Sequence, residues 1–254
     1  MVNLLRTRRR RVGALVASAV AVVAAVGTWA GPSYAAGSDH YYIEAGGTGS
    51  VPVDGKGCTV TYGYANRRLD GGIAVPVCYP ASGGPFVGPH NEMPDLSATG
   101  FDESVRLGYK AMLAAVEETH RAHPDATITI VGYSQGAWVG DLVLQTLASG
   151  ATDVPKKQVN GMLYADPMQP GTGLWATVPK GVGLAGVTSP GPGPETFDGI
   201  HVRRFCIHTD GVCDATSLRS IEGLLANHPR YPQENGILPQ TIAADGGDGI
   251  RWYD

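Results

Sequence analysis

Three things are missing from this sequence: a basic stripe, a tight Cys-x-x-Cys pair and an internal repeat. Charge is scarce altogether, at 17% of 254 residues, with 19 Lys and Arg against 23 Asp and Glu. Five of the basic residues are arginines within the first 35 positions, which leaves 14 basic against 23 acidic side chains in the remainder, a balance of −9. An acidic body of this kind repels a phosphate backbone, so nucleic acid is excluded as a partner. Only four cysteines occur, Cys58, Cys78, Cys206 and Cys213, and their spacing does not fit a zinc site. The lack of a repeat period excludes solenoids and propellers.

What is present suits one globular domain. The chain is 43% hydrophobic, and the roughly 200 residues beyond its start can bury a proper core. Its 36 glycines and 18 prolines indicate many turns rather than disorder, because the apolar runs stay long. Residues 1–35 read separately. A basic start, RTRRRR, precedes the apolar VGALVASAVAVVAAVGTWA, and SYA puts small residues at a cleavage-like site near Ala35. The alternative is an uncleaved anchor, since that apolar run is long enough to span a bilayer. The small-residue exit and the lack of a stop-transfer flank favour a removed secretion signal, hence a secreted protein with residues 36–254 as a single domain. Four cysteines in an exported chain imply two disulfides. Cys206 and Cys213 are close enough to pair locally, which leaves Cys58 with Cys78.

Strands are expected at HYYIEA, which is β-branched and aromatic and ended sharply by GGTGS, and at CTVTYGYA, GIAVPVCYP, ATITIVG, VNGMLYADP and IHVRRFCIH. Helical spacing of Val105, Tyr109, Met112, Leu113 and Val116 predicts a helix capped by Asp102. A second helix, Gln135 to Ser149, is closed by Gly150 and apolar on most sides, so it should be buried. A third, TSLRSIEGLLA, puts Ile221, Leu224 and Leu225 on one face. Residues 168–199, rich in Gly and Pro around Trp175, read as a long surface excursion, and the tail AADGGDGIRWYD as a solvated terminus. Alternating strands and helices mean an α/β fold with a mainly parallel central sheet flanked by helices.

The chemistry centres on GYSQGAW, Gly132 to Trp138. Gly-x-Ser-x-Gly has modest weight alone, but this copy lies between a predicted strand and a predicted helix, where a nucleophile elbow belongs. A serine on such a turn points its oxygen into open space, and the flanking glycines let neighbouring backbones approach. The helix start aims unpaired N–H groups at the same spot. A serine hydroxyl needs a base, and in this layout the order is Ser, acid, His. Only His201, His208 and His228 follow Ser134. His228, in NHPRY on a loop after the third helix, is placed to reach the top of the sheet. For the acid, Asp210 lies in CIHTDGVC, which a Cys206–Cys213 bridge would pin. Asp166 at the end of the next strand is the chief rival, with Asp214 and Asp198 behind it. The oxyanion donors expected are the N–H of Gln135 and Thr48 in GGTGS, the loop after the first core strand.

Several of these stretches resemble known families. CIHTDGVC resembles the Cys-x-x-x-Asp-x-x-Cys loop of cutinases, and HPDATITIVGYSQGA the cutinase segment around the nucleophile. A broader likeness is to the PE-PPE domain, a related serine-hydrolase domain of exported actinobacterial proteins. YYIEAGGTGS, YPASGGPFVG, FDESVRLGYKAM, GYSQGAWV, ADPMQPGTG and NHPRY follow that family's order over roughly residues 39–235. The resemblance implies an α/β-hydrolase-like (cutinase-like) esterase acting on acyl esters and some lipids. It implies Ser134 as nucleophile, Asp210 as acid, His228 as base and Thr48 at the oxyanion position. Two departures stand out: His123 occupies a position that is cysteine in cutinases, and the stretch from Asp210 to His228 is longer.

The reading is a secreted serine esterase that needs no metal or organic cofactor. Its expected partner is a small-molecule or lipid ester, with contact to a lipid or cell-wall surface, and the chain is expected to be a monomer. Two alternatives are an acyltransferase that moves the acyl group to a sugar or lipid alcohol, and a non-catalytic cell-surface module.

Overall fold

The computed structural model describes residues 39–254, so the secretion signal expected at 1–35 and its cleavage point lie outside the described residues. In chain order the main elements are β1 (His40–Ala45), β2 (Ile73–Pro76), α1 (Phe101–Ala122), β3 (Thr127–Tyr133), α2 (Gln135–Ala148) and β4 (Val159–Tyr164). Then come α3 (Leu174–Thr177), the short strands β5 (Gly183–Leu184) and β6 (Val187–Thr188), β7 (His201–Ile207), α4 (Arg219–Ala226), α5 (Ile237–Thr241) and β8 (Gly249–Tyr253).

Six strands form one sheet in the order β2-β1-β3-β4-β7-β8, and every pair is parallel. A parallel sheet must be covered on both faces, which is why its central strands read as nearly continuous apolar runs. Along β3 the side chains alternate: Ile128 and Ile130 face a core shared with Met112, Val116, Leu144 and Leu147 of α1 and α2. Val131 and Tyr133 face a second core with Tyr164, Phe205, Tyr231 and Leu238. The chain leaves β1 toward one edge and returns to β3 on the other side. That reversal opens a crevice at the carboxyl ends of β1 and β3, where open α/β sheets hold ligands.

The structure corrects the sequence reading in several places. CTVTYGYA forms no strand. Cys58 is tied to Cys78, Tyr62 Oη donates to the Ala45 carbonyl at 2.7 Å, and the Thr59 hydroxyl is within hydrogen-bond distance of the Ser50 and Thr61 hydroxyls, at 3.0 Å each. Those side-chain bonds hold turns where β-branched residues suggested a strand. Asp102 does not cap α1. Gly100 is the N-cap, and Asp102 in the first turn accepts the Thr188 N–H at 2.9 Å, fastening the β5–β6 hairpin to the helix. The 168–199 excursion is anchored by Trp175 and Phe197, both buried. The tail is solvent-exposed, as expected, but it also adds the edge strand β8 to the sheet.

Helix α4 has the expected apolar face, but that face points to solvent: Ile221 is 69% exposed and Leu225 80%. The opposite, small-residue face is what packs. A Cβ at Gly223 would fall against the Thr209 carbonyl, and Ser220 Oγ donates to the Asp214 carbonyl at 2.6 Å. Close approach to the Asp210 loop decides the orientation of the helix, and the leucines are left outside.

Candidate active site

The elbow combines a strained serine with two glycines whose neighbours leave no room for a Cβ. Ser134 has φ 57° and ψ −119°, a conformation L-residues seldom adopt, and it stands between β3 and α2 as the helix N-cap. A Cβ on Gly132 would strike Gly136 and Ala137, and one on Gly136 would strike the Ala45 and Gly46 backbone. Both glycines are therefore needed for β1, β3 and α2 to meet this closely. The turn is tied across the sheet by the Ser134 N–H, which donates to the Tyr164 carbonyl at 2.9 Å.

The turn brings Ser134 to His228, with Oγ to Nε2 at 2.8 Å. The other ring nitrogen, Nδ1, lies 3.0 and 3.1 Å from the two carboxylate oxygens of Asp210. Asp210 is fully buried and also accepts the Val212 N–H at 3.1 Å. Its loop is closed by the Cys206–Cys213 disulfide. The imidazole is held from a third side: Tyr133 stacks on it with ring centroids 5.0 Å apart, and Tyr133 Oη donates to the His228 carbonyl at 2.6 Å. Burial, then the nearby Asp210 charge, push the Tyr133 phenol well above its ordinary pKa, so it remains a donor. Tyr133 went unnoticed in the sequence, although its place next to the serine was a usable signal.

The rival acids are engaged elsewhere. Asp166 accepts from Arg204 Nε at 2.8 Å and from the Met168 N–H at 2.9 Å. Asp214 accepts the Thr209 N–H at 2.8 Å, and Asp198 pairs with Lys156 at the surface. His201 is bonded to Asp248, and His208 stacks on Trp252.

Gln135 is the first residue of α2, so its N–H has no partner within the helix. Its side chain is locked: Oε1 accepts from Ser104 Oγ and Nε2 donates to the Ser82 carbonyl, each at 2.9 Å. Sequence reasoning gave these two serines no role, although Ser82 lies in YPASGGPFVG and Ser104 in FDESVRLGYKAM. Thr48 lines the same cleft as Ser134, and its loop is fastened by Tyr79 Oη donating to the Gly46 carbonyl at 2.5 Å. The cleft has a volume of about 880 Å3 and a mostly apolar wall that includes Tyr64, Phe101, Trp138, Trp175 and Leu224. Among the described residues, no group of three or more His, Cys, Asp or Glu could hold a metal ion. The four cysteines are consumed in the two disulfides.

Solved structures share this architecture. A cutinase-like protein from Cryptococcus sp. matches with a TM-score of 0.53 at 20% identity, covering 81% of this chain and 91% of that one. An acetylxylan esterase matches with a TM-score of 0.50 at 22% identity, covering 81% and 95%. At such identities the likeness establishes the fold, which is α/β and cutinase-like. In sequence, the chain is 28% identical over 141 residues to the uncharacterized PPE family protein PPE28 of Mycobacterium tuberculosis. That alignment takes in 52% of this chain and only 21% of the longer relative. The PE-PPE domain profile matches residues 71–217, more than half of the sequence and the part that carries Ser134 and Asp210, and the chain therefore belongs to the PE-PPE domain family.

Proposed function

We propose that this protein is an exported serine esterase that hydrolyses carboxylic esters through an acyl-enzyme. The observation that carries the reading is the continuous relay Ser134–His228–Asp210, with contacts of 2.8 and 3.0 Å, at the floor of an apolar cleft. His228 Nε2 takes the Ser134 proton as Oγ attacks the ester carbonyl carbon. The Gln135 N–H and Thr48 hold the oxygen as it becomes negative. His228 then gives the proton to the departing alkoxide, which leaves as an alcohol. Water, deprotonated by the same nitrogen, attacks the acyl-serine and releases the acid and free Ser134. Asp210 keeps its proton count throughout and stabilises the imidazolium.

The apolar wall favours an ester with an aliphatic acyl group of short to medium length over a charged one. Leu224 belongs both to this wall and to the outward apolar face of α4, which favours esters presented by a lipid or cell-wall surface. A fluorophosphonate probe tests the reading. Labelling of the purified protein and hydrolysis of p-nitrophenyl butanoate are both expected, and both should vanish in Ser134→Ala. Labelling that persists in that variant would overturn it. Product analysis with a sugar or lipid alcohol present separates water from an alcohol as the acyl acceptor.

A further inference from the structure

The cleft that holds Ser134 has an apolar neighbour. A second groove of about 610 Å3 lies between α1, α2 and the segment after β6, with Val105, Tyr109, Leu142 and Pro190 in its wall. Trp138 is the one residue common to the two walls. It follows Ser134 by four positions on α2, so its side chain stands one helical turn behind the nucleophile, on the same side of the helix. The indole is stacked on Phe101 with centroids 5.7 Å apart and tilted against Trp175 at 5.2 Å. It is buried, and its N–H has no hydrogen-bond partner. A buried indole usually finds such a partner. Here the ring is held by packing alone, so moving or trimming it forfeits no hydrogen bond.

We propose that Trp138 is the partition that ends the acyl-binding part of the catalytic cleft, and that the side groove is a latent extension behind it. This inference rests on the esterase reading and adds to it the residue that sets acyl length. An ester carbonyl at Ser134, with its oxygen toward the Gln135 N–H, has the Phe101–Trp138–Trp175 wall as the aromatic end of the cleft. A chain long enough to reach that wall stops at the indole. With the indole gone, the chain continues toward Leu142.

The test compares p-nitrophenyl decanoate with the butanoate, so that only the acyl chain varies. Each methylene newly buried is worth about fourfold in kcat/KM. The decanoate-to-butanoate ratio should therefore rise at least about tenfold in Trp138→Ala, for two or more methylenes gained. Leu142→Trp, which fills the side groove alone, should cancel that rise in the double variant and leave the parent ratio unchanged by itself. Should the alanine variant not fold, Trp138→Leu keeps more of the packing and is read the same way. An unchanged ratio in a variant that still labels with fluorophosphonate overturns the partition and leaves the esterase standing. So does a rise that survives Leu142→Trp. A parent protein that neither labels nor hydrolyses either ester overturns both.

Discussion

Two polar clusters are built around this one sheet, and they are constructed in opposite ways. Ser134, His228 and Asp210 meet at the cleft, and His228 keeps 15% of its side chain exposed. Asp141, Arg204 and Asp166 meet in the interior, with Arg204 1% exposed and both acids fully buried. Arg204 spans the two carboxylates, Nη2 to Asp141 at 2.6 Å and Nε to Asp166 at 2.8 Å. Asp166 and Asp210 follow neighbouring strands, β4 and β7, so the residue type and its place in the fold do not separate them. The partner does. A guanidinium holds its proton at every accessible pH, so Asp166 is committed to a fixed ion pair. An imidazole can take and return a proton near neutrality, so Asp210 faces a group able to change charge during a reaction.

The sharpest way to break this comparison is to neutralise the acid in each cluster. Asp210→Asn keeps the shape but presents the wrong hydrogen-bonding partner to His228, and ester turnover should fall about 10⁴-fold. Asp166→Asn should leave turnover within a few fold, because it leaves Arg204 balanced against Asp141. Equal losses in the two variants, measured as kcat/KM on the butanoate ester, would dissolve the distinction.

The next largest effect falls on stability. Arg204→Met strips the guanidinium that pairs with two buried acids and should cost about 3–5 kcal/mol in denaturant unfolding. Burial, then the facing Asp166 charge, hold the Asp141 carboxyl well above its ordinary pKa despite the pull of Arg204. Turnover lost beyond the fraction unfolded would mean that the interior cluster also shapes the cleft.

Thr48→Ala removes one expected oxyanion donor and should raise the barrier by about 3 kcal/mol, roughly a hundredfold in kcat. Full activity in that variant would exclude the Thr48 hydroxyl as a donor and leave that role to a backbone N–H of the loop.

The smallest effect extends the comparison to a buried acid with no cation. Glu44 is fully buried, takes one hydrogen bond from Asn66 at 3.0 Å, and leaves Oε1 unpaired. Burial pushes its carboxyl up to about 7 from an ordinary 4.5, only partly offset by Asn66. The unfolded chain then releases this proton at lower pH than the folded one does. Stability falls as pH rises from about 4.5 to about 7, and is unaffected by this group below that window. Glu44→Gln should recover up to about 3 kcal/mol at pH 8 and little at pH 4, read from denaturant midpoints. A gain of equal size at the two pH values would point to packing rather than ionisation.

Legibility in the sequence followed distance along the chain. The elbow could be read because its evidence is contiguous: a β-branched strand, a glycine-bounded serine and an apolar helix fall within 23 residues, Thr127 to Ser149. β1, β3, β4 and β7 were legible for the same reason, since strands covered on both faces are mostly apolar or aromatic, with Glu44 in β1 and Arg204 in β7 as buried exceptions. The outer elements were not. β8, beginning Gly-Ile-Arg, is half exposed and takes its conformation from pairing with β7 rather than from its own composition. CTVTYGYA had the composition of a strand, but side-chain contacts with Ala45 and Ser50 and the disulfide to Cys78, none of which the residue pattern shows, hold it in turns.

By itself the sequence determined the alternation of strands and helices, the strained turn at Ser134 and the set of acids and histidines available to it. These follow from backbone sterics and side-chain periodicity, which act over a few residues. Only the tertiary structure decided that Asp210 faces His228 while Asp166 is bound to Arg204, and that α4 turns its leucines outward. It also decided that one indole separates two apolar cavities. Each of these depends on which groups from remote segments come within about 3–6 Å of one another, and at that range hydrogen bonds and packing, not local propensity, set the outcome.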